Sequence, residues 1–232
     1  MRLPILSYLI APAIVLVLDG CSTTDGPVSG VNADKALAMN QERNAFETSE
    51  DPPIAAKTYF AAGQLAEANG DLPAAVWQYA QTIRLDPKHH RALFRQAACL
   101  SQLKKFPEAV ACWRKYIDAT DHDPRGYSNL GFCYELAGRI DEAEAAYRDG
   151  IDRDPKSVPC RTNYGLMLAR LGRTAEATLQ LQAVLTPAEV HYNLASVLEH
   201  QDRKEAAKAE YRKALDLDPE LDEAQTRLSA LR

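Results

Sequence analysis

The sequence is short of what most enzymatic and nucleic-acid chemistry needs. It has 27 Lys and Arg against 32 Asp and Glu, a formal charge of −5. A mildly acidic balance argues against nucleic acid or anionic lipid as the main partner, since both need clustered Lys and Arg. There is no Gly-rich loop ending in Lys-Ser/Thr, no Gly-x-Ser-x-Gly elbow and no His-Glu-x-x-His pair. The expectation is therefore a non-enzyme with no cofactor and no metal site. The one long apolar run, Leu3 to Leu18, contains Ser7 and is broken by Pro4 and Pro12. It falls short of the roughly 20 residues of a stable membrane span.

A basic residue (Arg2), a short apolar core and small residues ahead of a cut site describe a secretory signal over residues 1–20. The run ends Leu18-Asp19-Gly20-Cys21. Leu18, Gly20 and Cys21 resemble the bacterial lipobox, and Asp19 departs from it. The resemblance implies a lipid on Cys21, the only covalent group expected. With Ser22 next, it also implies an outer-membrane anchor facing the periplasm. The alternatives are an uncleaved membrane anchor and a chance apolar start. Residues 21–55 are then the lipidated cysteine and a tether rich in Ser, Thr, Asp, Gly, Asn and Pro. A flexible tether of this length reaches about 30–35 Å; the other possibility is that part of it packs on the first residues after 55.

From residue 56 the chain repeats. Ala75, Ala109, Ala143 and Ala177 are spaced by 34 residues, as are Gly131 and Gly165, Gly138 and Gly172, and Ile83, Ile117, Ile151 and Leu185. A fixed period of this length marks stacked units, none of which can bury its apolar face alone. Leu130, Gly131, Tyr134, Gly138, Ala143, Tyr147 and Pro155 resemble the tetratricopeptide repeat, and so do Leu194, Ala195, Ala207, Tyr211, Ala214 and Pro219. The predicted fold is an all-α solenoid of about five helix-turn-helix units, 56–89, 90–123, 124–157, 158–187 and 188–221. The fourth is four residues short, ending at Thr186-Pro187, and the second has Asp121 where the others close on proline. Gly131 and Ala143 should let paired helices approach, and Gly138 should occupy the turn between them. Residues 222–232 read as a capping helix through the stripe Leu221, Ala224, Leu228 and Leu231, or else as a partner-binding helix.

The five histidines, His89, His90, His122, His191 and His200, read as surface polar residues rather than metal ligands. Asp121-His122-Asp123 reads as a helix-ending loop. Four cysteines follow Cys21, and Cys99, Cys112, Cys133 and Cys160 are expected to be free, buried thiols. An oxidising compartment would also permit disulfides.

The repeat resemblance implies where function sits. First helices of successive units line an inner groove with their second, fifth, sixth, ninth, twelfth and thirteenth positions. Here these give Lys57, Phe60, Arg91, Phe94, Arg125, Asn129, Phe132, Asn163, Leu166, Tyr192 and Asn193 as candidate contacts for a protein or peptide. Asparagine can both donate to and accept from a peptide backbone; the alternative is that it only braces the repeats. The carboxylate clamp of chaperone-binding members would need asparagines where Ala61 and Arg95 stand. The whole layout of signal, lipidated cysteine, tether and repeats resembles Tad/Flp pilus assembly lipoproteins and pilotins. It implies a scaffold for a secretin or pilus component, bound to the membrane through its lipid. The second reading is an adaptor for peptidoglycan hydrolases or synthases.

Overall fold

The computed structural model describes residues 55–231. The signal, Cys21 and nearly all of the tether lie outside the described residues. Among the described residues eleven α-helices follow one another: α1 Ala56–Ala68, α2 Leu72–Leu85, α3 His90–Gln102, α4 Phe106–Ala119, α5 Pro124–Leu136, α6 Ile140–Arg153, α7 Val158–Arg170, α8 Thr174–Gln182, α9 Pro187–His200, α10 Lys204–Leu217 and α11 Asp222–Ala230. Each odd helix up to α9 pairs with the even helix after it, and each pair packs on the next. Among these residues there is no strand, and no helix is long and apolar enough to cross a membrane.

Local chemistry sets the helix ends. Asp86, Asp154 and Asp218 precede proline and are extended, at φ −135°, −136° and −141°, so α2, α6 and α10 stop there. The second unit lacks that proline and stops differently. Asp121 and His122 both turn left-handed, at φ 50° and 62°, and the His122 N–H closes back on the Ile117 carbonyl. The turn inside each pair needs one left-handed residue. Gly70, Gly138 and Gly172 supply it at φ 76°, 73° and 78°, whereas Lys104 and Asp202 supply it with a side chain, at 57° and 58°. In the fourth unit α8 has 9 residues against 14 in the other second helices. Thr186 then starts α9 with a reciprocal cap: it accepts from the Glu189 N–H while its own N–H donates to Glu189 Oε2.

The periodic alanines Ala75, Ala109, Ala143 and Ala177 are all fully buried between paired helices. The close approach predicted at Gly131 is real: a Cβ there would lie 2.7 Å from Cε1 of the buried Tyr147 ring. Gly63 plays the same part in the first unit, 2.5 Å from Cε1 of Tyr79. A central apolar cluster runs from Leu93 to Val197, with one smaller cluster around Phe60 and Tyr79 and another around Tyr211. Ala224 of α11 is part of the last, and Leu221, Leu228 and Leu231 pack against it, so α11 caps the array. Cys99, Cys112, Cys133 and Cys160 are free and buried.

Candidate protein-binding face

The first helices meet along one side of the array. α5 packs on α7, and α7 on α9. Asn163 Nδ2 of α7 donates to Ser128 Oγ of α5 at 2.9 Å. Nearer the start, the Arg91 guanidinium of α3 lies 5.1 Å from the ring centre of Phe60 in α1. At about 100° per residue, positions two, six, nine and thirteen of a first helix fall within about 60° of one another. In α5 that stripe is Arg125, Asn129, Phe132 and Leu136; in α7 it is Pro159, Asn163, Leu166 and Arg170.

Positions five and twelve are rotated about 70–90° from its centre, to one side, and this decides which candidates remain open. Phe60, at position five, is 8% exposed and packs on Tyr79 and His89 with ring centres 5.7 and 4.8 Å away. Phe94 is a half-buried wedge, edge-on to Trp113 at 5.1 Å and Tyr116 at 5.5 Å. These two aromatic residues, read from sequence as groove contacts, face the neighbouring helices instead. Tyr192 is half-buried against Tyr211. Ser128 and Thr162 hold the same position in α5 and α7 and are buried; the Thr162 hydroxyl lies there without a hydrogen-bond partner.

On the open stripe, Lys57 and Arg91 are exposed. Arg125 is exposed too and grips Asp123, with Nη2 to Oδ2 at 2.7 Å. Partial burial pushes the Asp123 carboxyl up, but the hydrogen bonds from Arg125 outweigh it and hold the carboxyl below its ordinary range. Asn129 and Asn193 each donate one N–H to the carbonyl four residues back, at 3.0 and 2.8 Å. Phe132 is half-buried and, among the described residues, belongs to none of the apolar clusters and makes no ring contact. Leu166 is half-buried against the central cluster. Leu136, absent from the contacts read from sequence, is 44% exposed at the end of the α5 stripe. Its signal was its place at position thirteen.

Position twelve carries a recurring bridge. Glu67 accepts from Tyr79 Oη at 2.7 Å and pairs with Arg95 of the next first helix at 3.1 Å. Glu135 meets Tyr147 and Arg170, and Glu199 meets Tyr211 and Arg227. Arg95 is therefore held by Glu67 at the sixth position, where a carboxylate clamp would want an amide. Burial pushes the thiols of Cys99 and Cys112 up to about 12 and that of Cys160 up to about 11, which leaves them unreactive near neutral pH. Among the described residues no group of three His, Cys, Asp or Glu side chains could hold a metal ion.

Stacked helix pairs with an open first-helix stripe define a repeat solenoid of the protein-binding class. Family profiles for the tetratricopeptide repeat match residues 60–124, 124–157 and 188–221, more than half of the chain, and the chain belongs to that family. The short fourth unit lies in the unmatched gap. The chain is 32% identical over 85 residues to Hsp70-Hsp90 organizing protein 3 of Arabidopsis thaliana, covering 37% of this chain and 15% of that one. It is 31% identical over 115 residues to small glutamine-rich tetratricopeptide repeat-containing protein 2 of Saccharomyces cerevisiae, covering 50% and 33%. The similarity to these relatives thus spans a third of their length or less. Two solved structures share the fold at 21% identity. One is YrrB, a TPR protein with an unusual peptide-binding site, at TM-score 0.50 over 84% of this chain and 96% of its own. The other is a thermophilic TPR protein of Thermus thermophilus, at 0.55 over 76% and 98%. TPR proteins act in protein–protein interaction and as scaffolds, and their fold is typically non-catalytic.

Proposed function

We propose that this protein is a non-enzymatic scaffold, anchored through a lipid on Cys21 to the periplasmic face of the outer membrane. Its first-helix stripe captures an extended segment of a partner from a Tad/Flp pilus or related secretion machine, a secretin among the candidates. The observation that carries the binding reading is the centre of the stripe. Phe132, Leu136 and Leu166 lie partly open on the shared stripe of α5 and α7, which also carries Asn129 and Asn163. An aromatic anchor outside the core, next to amides that pair with a backbone, suits side-chain insertion with main-chain hydrogen bonds. The lipobox-like end of the apolar leader supports the anchor, and the overall layout supports the pilus or secretion setting.

The test is a crosslinked pull-down from cell envelopes with the native protein, beside Phe132→Asp and Arg91→Glu/Arg125→Glu variants. Recovery of a secretin or pilus component, lost in the variants, is the expected result. Recovery of peptidoglycan hydrolases or synthases would replace it with the adaptor reading. Mass spectrometry of the N-terminus checks the anchor separately, since an unmodified Met1 removes it.

A further inference from the structure

Three bridges between first helices neutralise most charge on the binding side: Glu67 with Arg95, Glu135 with Arg170 and Glu199 with Arg227, at 3.1, 2.6 and 3.4 Å. What remains is set by the second position of each first helix. From α1 to α11 it reads Lys57, Arg91, Arg125, Pro159, Glu189 and Glu223. Lys57, Arg91, Glu189 and Glu223 are all exposed. Arg125 shares its charge with Asp123, so Lys57 and Arg91 carry the positive end. Glu189 also caps α9 through Thr186. Between the two ends the stripe is neutral at Asn129, Phe132, Leu136, Asn163 and Leu166.

Charges at opposite ends of one face act on a ligand as a register device, favouring one placement and penalising its reverse. We propose that the captured segment is itself charge-polarised: acidic across α1 and α3, apolar across α5 and α7, and basic across α9 and α11. This rests on the groove reading above and names the chemistry of its occupant. Five steps between adjacent first helices, at about 8–10 Å each, span roughly 40–50 Å. An extended chain at about 3.3 Å per residue covers that with roughly 12–15 residues.

The experiment uses fluorescein-labelled peptides with one Leu-rich centre and three kinds of flank. Two are polarised, acidic-to-basic and basic-to-acidic along the chain, and the third is neutral with Ser and Gly. Anisotropy titrations of the whole protein are run in low and in high salt. One polarised peptide should bind at least tenfold tighter than the neutral one, and high salt should erase the gap. Lys57→Glu/Arg91→Glu should weaken it about tenfold. Adding Glu189→Lys/Glu223→Lys should transfer the preference to the peptide of opposite direction. All four positions are exposed, and circular dichroism verifies folding of each variant. If the neutral peptide binds as well as the polarised ones, is indifferent to the swaps and is lost in Phe132→Asp, the charge inference is overturned while the groove reading stands. If no peptide binds, both are overturned.

Discussion

Tyr79 donates its phenolic hydrogen to Glu67 across the two helices of the first unit at 2.7 Å, while Arg95 holds the other carboxylate oxygen from the next unit. The same side chains thus close a unit and join it to its neighbour. A hydrogen bond to a charged group contributes about 1.5–3 kcal/mol when well made. Tyr79→Phe should lower stability by about 1–2 kcal/mol in urea unfolding. Tyr147→Phe should cost less, because its bond to Glu135 is long, at 3.5 Å. Equal losses from the two variants would show that the length of the bond to the glutamate does not set the effect.

Glu135 predicts a pH dependence. Burial raises its carboxyl above the ordinary range, and the opposing pull of Arg170 does not fully compensate. The folded state then holds the proton more tightly than the unfolded state. The stability this brings is fully present below the unfolded value of about 4.3 and is lost as pH rises through the folded value. Glu135→Gln cannot titrate. The stability of the wild type relative to this variant should therefore be larger at pH 4 than at pH 7, as read from urea midpoints. The opposite trend would mean that Arg170 dominates.

The turn residues give a paired test. Lys104 and Asp202 hold the left-handed conformation that glycine holds in the other units. Relieving a left-handed residue contributes about 1 kcal/mol, less the entropy that glycine adds to the unfolded chain. Lys104→Gly should raise the melting temperature slightly, and Gly138→Ala should lower it. Nothing lies within 4 Å of a Cβ at Gly138, so the loss there would be conformational and not steric.

The two phenylalanines of similar appearance should separate. Phe94→Ala removes a wedge from between Trp113 and Tyr116 and should cost about 3 kcal/mol. Phe132→Ala removes a ring outside the apolar clusters and should cost about 1 kcal/mol. On the proposed reading, partner capture falls more with the second. Thermal melts and the pull-down, run on both variants, check the contrast.

Much of the fold was written in the spacing. The 34-residue alanines mark where helices touch, Gly138 marks a turn, and Asp-Pro marks three helix ends, because each of these is a local requirement of the backbone. The binding side was only half legible. Phe60 and Phe94 looked like anchors since sequence gives their position number, not that position five is turned toward a neighbouring helix. Arg95 is legible in the sequence only as a departure from the clamp's asparagine; that Glu67 from the preceding unit holds it is not. Glu135 recruits Arg170, which stands at position thirteen and not at six as Arg95 does. Such choices depend on how neighbouring units are set against each other, which a periodic alignment does not carry. Leu136 was missed although its position pointed to it.

The bridges of Glu67, Glu135 and Glu199 sit in the first, third and fifth units and skip the second and fourth, where Ser101 and Ala169 hold that position. The seams between units are therefore of two kinds in alternation. Excising one unit, residues 90–123, would set Glu67 against Asn129 and Leu136, with no cation in place of Arg95. Excising two, residues 90–157, would bring Arg170 to meet it. Removing two units therefore keeps the bridge pattern, and removing one breaks it.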